Sequence, residues 1–180
     1  MELVPGRECG VCGVCCKLPS IDEIVLQKPA GVTCTHLVKG GGCGIYDSRP
    51  VTCRNYHCGW RLMEDLGEDW RPDKSGVYIT FVGNEVPQED RARGALKVII
   101  TSAQAVLWPP FVEFVCRMVG EGGPVYLSIS GPLGRNSAQT RINSSLAGLD
   151  LEKDRLQIIG VLAGLLSGVT AFAFNDQVTK

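Results

Sequence analysis

Eight of the nine cysteines in this 180-residue chain fall between positions 9 and 58, and nothing else in the sequence restricts its fold as strongly. The run opens as Cys9-x2-Cys12-x2-Cys15-Cys16. A two-residue gap lets the backbone turn tightly and present both thiolates to one ion, which is why the spacing recurs in zinc and iron–sulfur sites. Two such gaps in succession put three thiolates on one loop, as in the ferredoxin pattern C-x2-C-x2-C-x3-C-P, whose fourth cysteine and proline are missing here. Adjacent side chains usually diverge, so Cys15 and Cys16 are suited to different metals or to different edges of one cluster.

Cys34, Cys43, Cys53 and Cys58 form a second, irregularly spaced set, expected on separate loops that fold over the first run. Eight thiols suffice for two four-coordinate sites, or for one iron–sulfur cluster with spare cysteines. Three thiolates on one loop favour a cuboidal cluster slightly; zinc, which more often takes two pairs from separate loops, is the alternative. No secretory signal is visible near Met1, so a cytoplasmic location is expected. Cytosolic thiols are kept reduced, which favours metal ligation over disulfides.

Several side chains accompany the sulfurs. Arg49 and Arg54 lie close to Cys53 and are candidates to offset thiolate charge or to donate to sulfur, with surface salt bridging as the plainer role. His36 and His57 flank Cys34 and Cys58; either imidazole can replace a thiolate on zinc, or can serve only as support. Gly40-Gly41-Gly42 reads as a flexible loop that can also bring bare N–H groups near Cys43. Cys116 sits in an apolar helical stripe and reads as a core residue. Gly131 to Ser137 lacks the Gly-Lys-Ser/Thr ending of a phosphate loop and reads as a plain loop.

These residues together resemble a known family. Cys9-x2-Cys12-x2-Cys15-Cys16-Lys17, then Cys34-x-His36, then Gly42-Cys43-x-Ile45-Tyr46-x2-Arg49-Pro50-x2-Cys53-Arg54-x-Tyr56-x-Cys58 is similar to the CxxCxxCC cysteine-cluster proteins, the YkgJ type, described as zinc- or iron-chelating. The resemblance covers residues 9–60, less than a third of the chain, and implies metal binding. A related cysteine region occurs in flagellin lysine-N-methylase, where the resemblance implies an iron–sulfur cluster. That enzyme is much longer and has no match to residues 75–180, so its activity is not carried over.

The bulk composition excludes other classes. A net charge of −1, from 18 basic and 19 acidic residues, supplies no positive field for a phosphate backbone, and no nucleic-acid partner is expected. With 44% hydrophobic and 21% charged residues the chain is an ordinary globular one. Both histidines lie in the cluster, so no Ser/His/Asp set exists and hydrolytic catalysis is not expected. Whether the chain is an enzyme stays open, as does an unidentified protein partner. Ile158–Phe174 is uncharged but short and diluted by three glycines, so no membrane span is expected.

The expected fold is α+β. A loop-rich, metal-stapled lobe over residues 1–62 packs on a small mixed domain over 75–180, with the charged stretch 64–74 between them; one integrated domain is the alternative. Strands are expected at Val77–Val82, Leu96–Thr101 and Val125–Ser130. A helix should open at Pro109-Pro110, and a second should be capped by Asp150 and run to Leu166. A last strand is expected at Val169–Phe174.

Overall fold

The computed structural model describes residues 2–135 and 138–175. The cysteine-rich part carries little regular structure: a hairpin of β1 (Ile21–Glu23) and β2 (Leu26–Lys28), then the short helices α1 (Val51–Asn55) and α2 (Gly59–Leu62). The apolar run at Ile21–Leu26 is this hairpin, its turn placing Ile24 and Val25 in solvent.

Residues 64–74 are more than a linker. A 3-10 turn at Glu68–Trp70 and helix α3 (Pro72–Ser75) bring Leu66, Trp70 and Pro72 into the interior. The charges that mark the stretch as a connector lie outside, while its two large apolar residues join the core.

A four-stranded mixed sheet follows. It comprises β3 (Val77–Phe81), β4 (Leu96–Ile100), reached through helix α4 (Gln88–Ala92), β5 (Val125–Ile129), reached through helix α5 (Pro109–Gly120), and β6 (Gln139–Arg141). β3 pairs antiparallel with β4, β4 parallel with β5, and β5 antiparallel with β6. The parallel pair requires a crossover, which α5 supplies with Pro109 at its first turn. The three expected strands and this helix are all present.

Side chains alternate across a strand. Val77, Ile79, Leu96, Val98, Ile100, Val125 and Leu127 therefore share one face, packed with Phe111, Val112 and Val115 of α5 and with Trp60, Leu66 and Trp70. Trp60 lies on α2, directly after Cys58, so the cysteine-rich part contributes to the same core. Gly59 makes that approach feasible, because a Cβ there would lie 2.7 Å from Ile79 Cγ2. The opposite face carries Tyr78, Thr80, Lys97 and Ile99, and Tyr56 of the cysteine-rich part bonds to Tyr78 and Thr80 there.

The carboxyl-terminal end differs from expectation. After helix α6 (Asn143–Leu146), one helix, α7 (Arg155–Asn175), spans the place of the second helix and the last strand together. Ala-Phe-Ala-Phe alternation mimics a strand, but Ile158, Leu162 and Val169 recur at helical spacing and are the residues buried. The Thr170 hydroxyl donates to the Leu166 carbonyl at 2.8 Å, satisfying itself inside the helix. Asp150 caps an earlier turn, accepting the N–H groups of Glu152 and Lys153 at 3.0 Å each. By length and composition α7 can cross a membrane; in this fold its buried stripe packs on the core. Residues 133–134 form a turn, and Asn136 and Ser137 of the expected loop lie outside the described residues.

Candidate metal centre

The first cysteine loop is built by tight turns. Cys12 N–H donates to Cys9 O at 2.8 Å, and Cys16 N–H to Gly13 O at 3.1 Å. Cys34 N–H then donates to Cys16 O at 2.8 Å, bringing the second set onto the first. Cys43 follows through an antiparallel bridge with Leu37, and Gly44 N–H donates to His36 O at 2.8 Å. Cys53 rides on α1, and Cys58 stands at the amino end of α2.

Gly41 and Gly42 complete the junction. Both have positive φ, 100° and 85°. A Cβ on Gly41 would fall 2.0 Å from Val11 O, and one on Gly42 2.9 Å from Gly10 O. The glycine run is a backbone-to-backbone seam against the first cysteine loop.

Seven of the eight clustered cysteines, all except Cys58, line one cavity of about 200 Å³ with His36, Arg49 and Tyr56. Arg49 stacks its guanidinium 3.6 Å from the Tyr46 ring centre and donates to Tyr46 O at 2.7 Å. Arg54 is exposed on α1 and does not line the cavity, nor does His57. Cys116 lies apart in α5, half-buried against the core. None of the nine cysteines forms a disulfide. The sulfurs surround the cavity rather than converge on a point: among the described residues, no group of three or more His, Cys, Asp or Glu side chains is arranged to hold a metal ion.

Burial pushes the Cys12 thiol up to about 11 and raises Cys53 and Cys58 as well. Cys15 and Cys16 share a hydrogen bond between their thiols. That bond raises Cys15 and holds Cys16 below the ordinary thiol range, with Lys28 and Arg49 adding positive charge at Cys16. The Asp73 carboxylate also reaches Cys12, but is itself held by Arg71 at 2.7 Å.

Two cations escaped sequence reasoning. Arg61 is buried, with Nη1 3.7 Å from Cys9 Sγ and an Nε that has no hydrogen-bond partner. Lys28 is buried with only carbonyl partners: Val32 at 2.8 Å, Pro29 at 3.2 Å and Lys17 at 3.3 Å. Among the described residues neither pairs with a carboxylate. A buried cation needs compensating charge, and thiolates of a metal centre would supply it for both. Donor set and cations thus fit a thiophilic metal. Arg61, one helical turn after Cys58, carried a weak positional signal; Lys28 carried none.

A second cleft of about 450 Å³ adjoins the cysteine cavity, with Tyr56 lining both. Tyr78, Thr80 and Lys97 of the open sheet face form its floor. A wider hollow of about 1220 Å³ near Trp108 contains no cysteine.

A UPF0153 protein of Pseudomonas aeruginosa is 35% identical to this chain over 63 residues, which make up 75% of that protein and 32% of this one. The chain belongs to the UPF0153 family. UPF0153 proteins are of the YkgJ cysteine-cluster type, so the likeness agrees with the one carried by the cysteine motif. No family model matches the chain, and no solved structure does. About two thirds of the chain lies outside the stretch shared with the UPF0153 relative.

Proposed function

We propose that this UPF0153 protein binds metal through Cys9, Cys12, Cys15, Cys16, Cys34, Cys43, Cys53 and Cys58, holding an iron–sulfur cluster in preference to zinc. The observation that carries the reading is one cavity lined by seven thiols and flanked by two buried cations without carboxylate partners. Three thiolates on one loop favour the cluster over zinc. When bound, an iron–sulfur group would supply one-electron chemistry or a substrate anchor, and zinc a structural staple. This chain's own residues hold the thiolates in a shielded hollow and offset their charge. A reducing, cytoplasmic setting accords with nine free thiols.

Anaerobic purification followed by elemental analysis and a visible spectrum tests the proposal. Bound iron with inorganic sulfide, or stoichiometric zinc, is expected. Metal-free protein with eight freely reactive thiols in the cluster would overturn it.

A second reading, an iron–sulfur enzyme of redox or group-transfer type, is favoured by the cleft that shares Tyr56 with the cysteine cavity. Reversible bleaching of visible absorption by a reductant would support it. Colourless protein with stoichiometric zinc would sink it.

A further inference from the structure

The cleft of about 450 Å³ between the cysteine-rich part and the sheet falls within the range of roughly 300–1,000 Å³ usual for small-molecule sites. Protein bonds clasp its walls together in two places. Tyr56 joins Tyr78 and Thr80 of β3, and the Gly134 N–H donates to Ala30 O at 2.8 Å. The fold therefore fixes both walls without help from a ligand.

Leu18, Pro19, Phe81, Ile99 and Ile129 make much of the lining apolar, while its polar groups carry both signs. Lys97, its side chain 12% exposed, reaches Glu85 Oε1 at 3.0 Å, which engages one N–H of its ammonium. The ammonium has no other protein partner among the described residues. Gln139 on β6 donates through Nε2 to Glu85 O at 3.3 Å, while its Oε1 is buried without a hydrogen-bond partner. Glu85 thus holds an underused donor and an unused acceptor side by side. Arg135 adds a second cation to the lining. Buried polar groups are costly to leave unpaired, so the cleft calls for one accepting and one donating group on its ligand.

We propose that this cleft binds a free α-amino acid with a large apolar side chain. Its carboxylate would accept from Lys97 and Arg135, and its ammonium would donate to Gln139 Oε1 beside the Glu85 carboxylate. The apolar side chain would lie against Leu18, Ile99 and Ile129. A zwitterion meets both demands from groups on a single carbon, which a plain carboxylic acid or a plain amine does not. The site consists of protein groups other than the cysteines, so it goes beyond the metal-binding reading and does not rest on it.

L-Phenylalanine titrated calorimetrically into the purified chain should bind at a single saturable site. 3-Phenylpropanoate lacks the ammonium, 2-phenylethylamine lacks the carboxylate and L-serine lacks the apolar body; each should bind at least about tenfold more weakly. Gln139→Leu and Lys97→Met should each weaken L-phenylalanine by about tenfold as well. Lys74→Met should not, since that ammonium pairs with Glu68 outside the cleft. 3-Phenylpropanoate binding as tightly as L-phenylalanine, or unchanged affinity in both cleft variants, overturns the proposal.

A variant that fails to fold would also lose binding, so the wild-type chain is followed by backbone amide NMR on isotope-labelled protein. L-Phenylalanine should shift Thr80, Lys97, Ser130 and Gln139 together and saturably; no saturable shift, or shifts confined to residues outside the cleft, overturns the proposal. Metal is counted on the same preparation. Metal-free protein that binds L-phenylalanine overturns the metal-binding reading alone, and metal-loaded protein that does not bind it overturns the cleft assignment alone.

Discussion

The Tyr78 hydroxyl donates to the Tyr56 hydroxyl at 2.7 Å, joining the middle of β3 to the segment between Cys53 and Cys58. Tyr56 donates onward to Thr80 Oγ1 at 2.8 Å, and the two rings stack with centroids 6.3 Å apart. Tyr56 also forms part of the wall between the cysteine cavity and the neighbouring cleft. This short relay is therefore where the sheet registers the position of the cluster.

The relay makes the two tyrosines unequal. Tyr56→Phe strands the Tyr78 hydroxyl, which is buried, and should cost about 1–3 kcal/mol; Tyr78→Phe removes a donor from Tyr56 and should cost about 0.5–1.5 kcal/mol. Urea denaturation of both variants checks the order. Equal losses would show that the hydroxyl of Tyr78 has another partner.

The glycine seam predicts a steep contrast between neighbours. Gly40→Ala meets nothing within 4 Å, whereas Gly41→Ala drives its Cβ into Val11 O. Both residues have positive φ, so each substitution costs about 1–3 kcal/mol of backbone strain. Gly41→Ala should lose more than that and reduce bound metal, while Gly40→Ala retains it. Thermal melts beside metal analysis give both readouts.

Tyr126 governs an alkaline limit. It donates to Asp90 Oδ2 at 2.5 Å, and burial followed by this carboxylate raises it from 10.0 to about 12. Between these values the unfolded chain has released a proton that the folded chain keeps. Stability is therefore full below about pH 10 and falls as pH rises toward 12. Tyr126→Phe should flatten that fall, and should cost about 1.5–3 kcal/mol at neutral pH through the lost bond to a charged acceptor. Denaturation midpoints from pH 8 to 12 decide it.

Helix α7 should respond on one side only. Ile158 and Leu162 are 0% exposed and Leu156 is 85% exposed. Ile158→Ala and Leu162→Ala should each cost about 2–5 kcal/mol, and Leu156→Ala should stay within about 0.5 kcal/mol of wild type. Equal sensitivity at all three positions would place a further packing surface over Leu156.

Much of the sheet was legible because Val77–Phe81, Leu96–Ile100 and Val125–Ile129 are dense in β-branched and aromatic residues, and Pro109 marks a helix start. β6 was not, since Gln139-Thr140-Arg141 carries no apolar alternation and is a strand only through its pairing with Tyr126, Leu127 and Ser128. Val169–Phe174 misled because strand-forming side chains there sit on a helix set by more distant contacts at Ile158 and Leu162. At the site, the spacing of the cysteines announced the thiols, seven of which the fold gathers around one cavity. Arg61 and Lys28 stayed hidden, because a buried cation looks like a surface one until the fold encloses it.

Arg7 adds a final consequence. Its guanidinium collects the carbonyls of Trp60, Met63, Glu64 and Leu66, and Val4 N–H donates to Arg61 O at 2.9 Å. Protein contacts alone thus fasten the segment just before Cys9 to the segment just after Cys58. In a small zinc finger the ion gathers a slack chain and its capture is the folding event. Here the strap is buckled beforehand, so metal uptake would resemble setting a stone in a finished mount, and its removal should leave the outline of the chain in place.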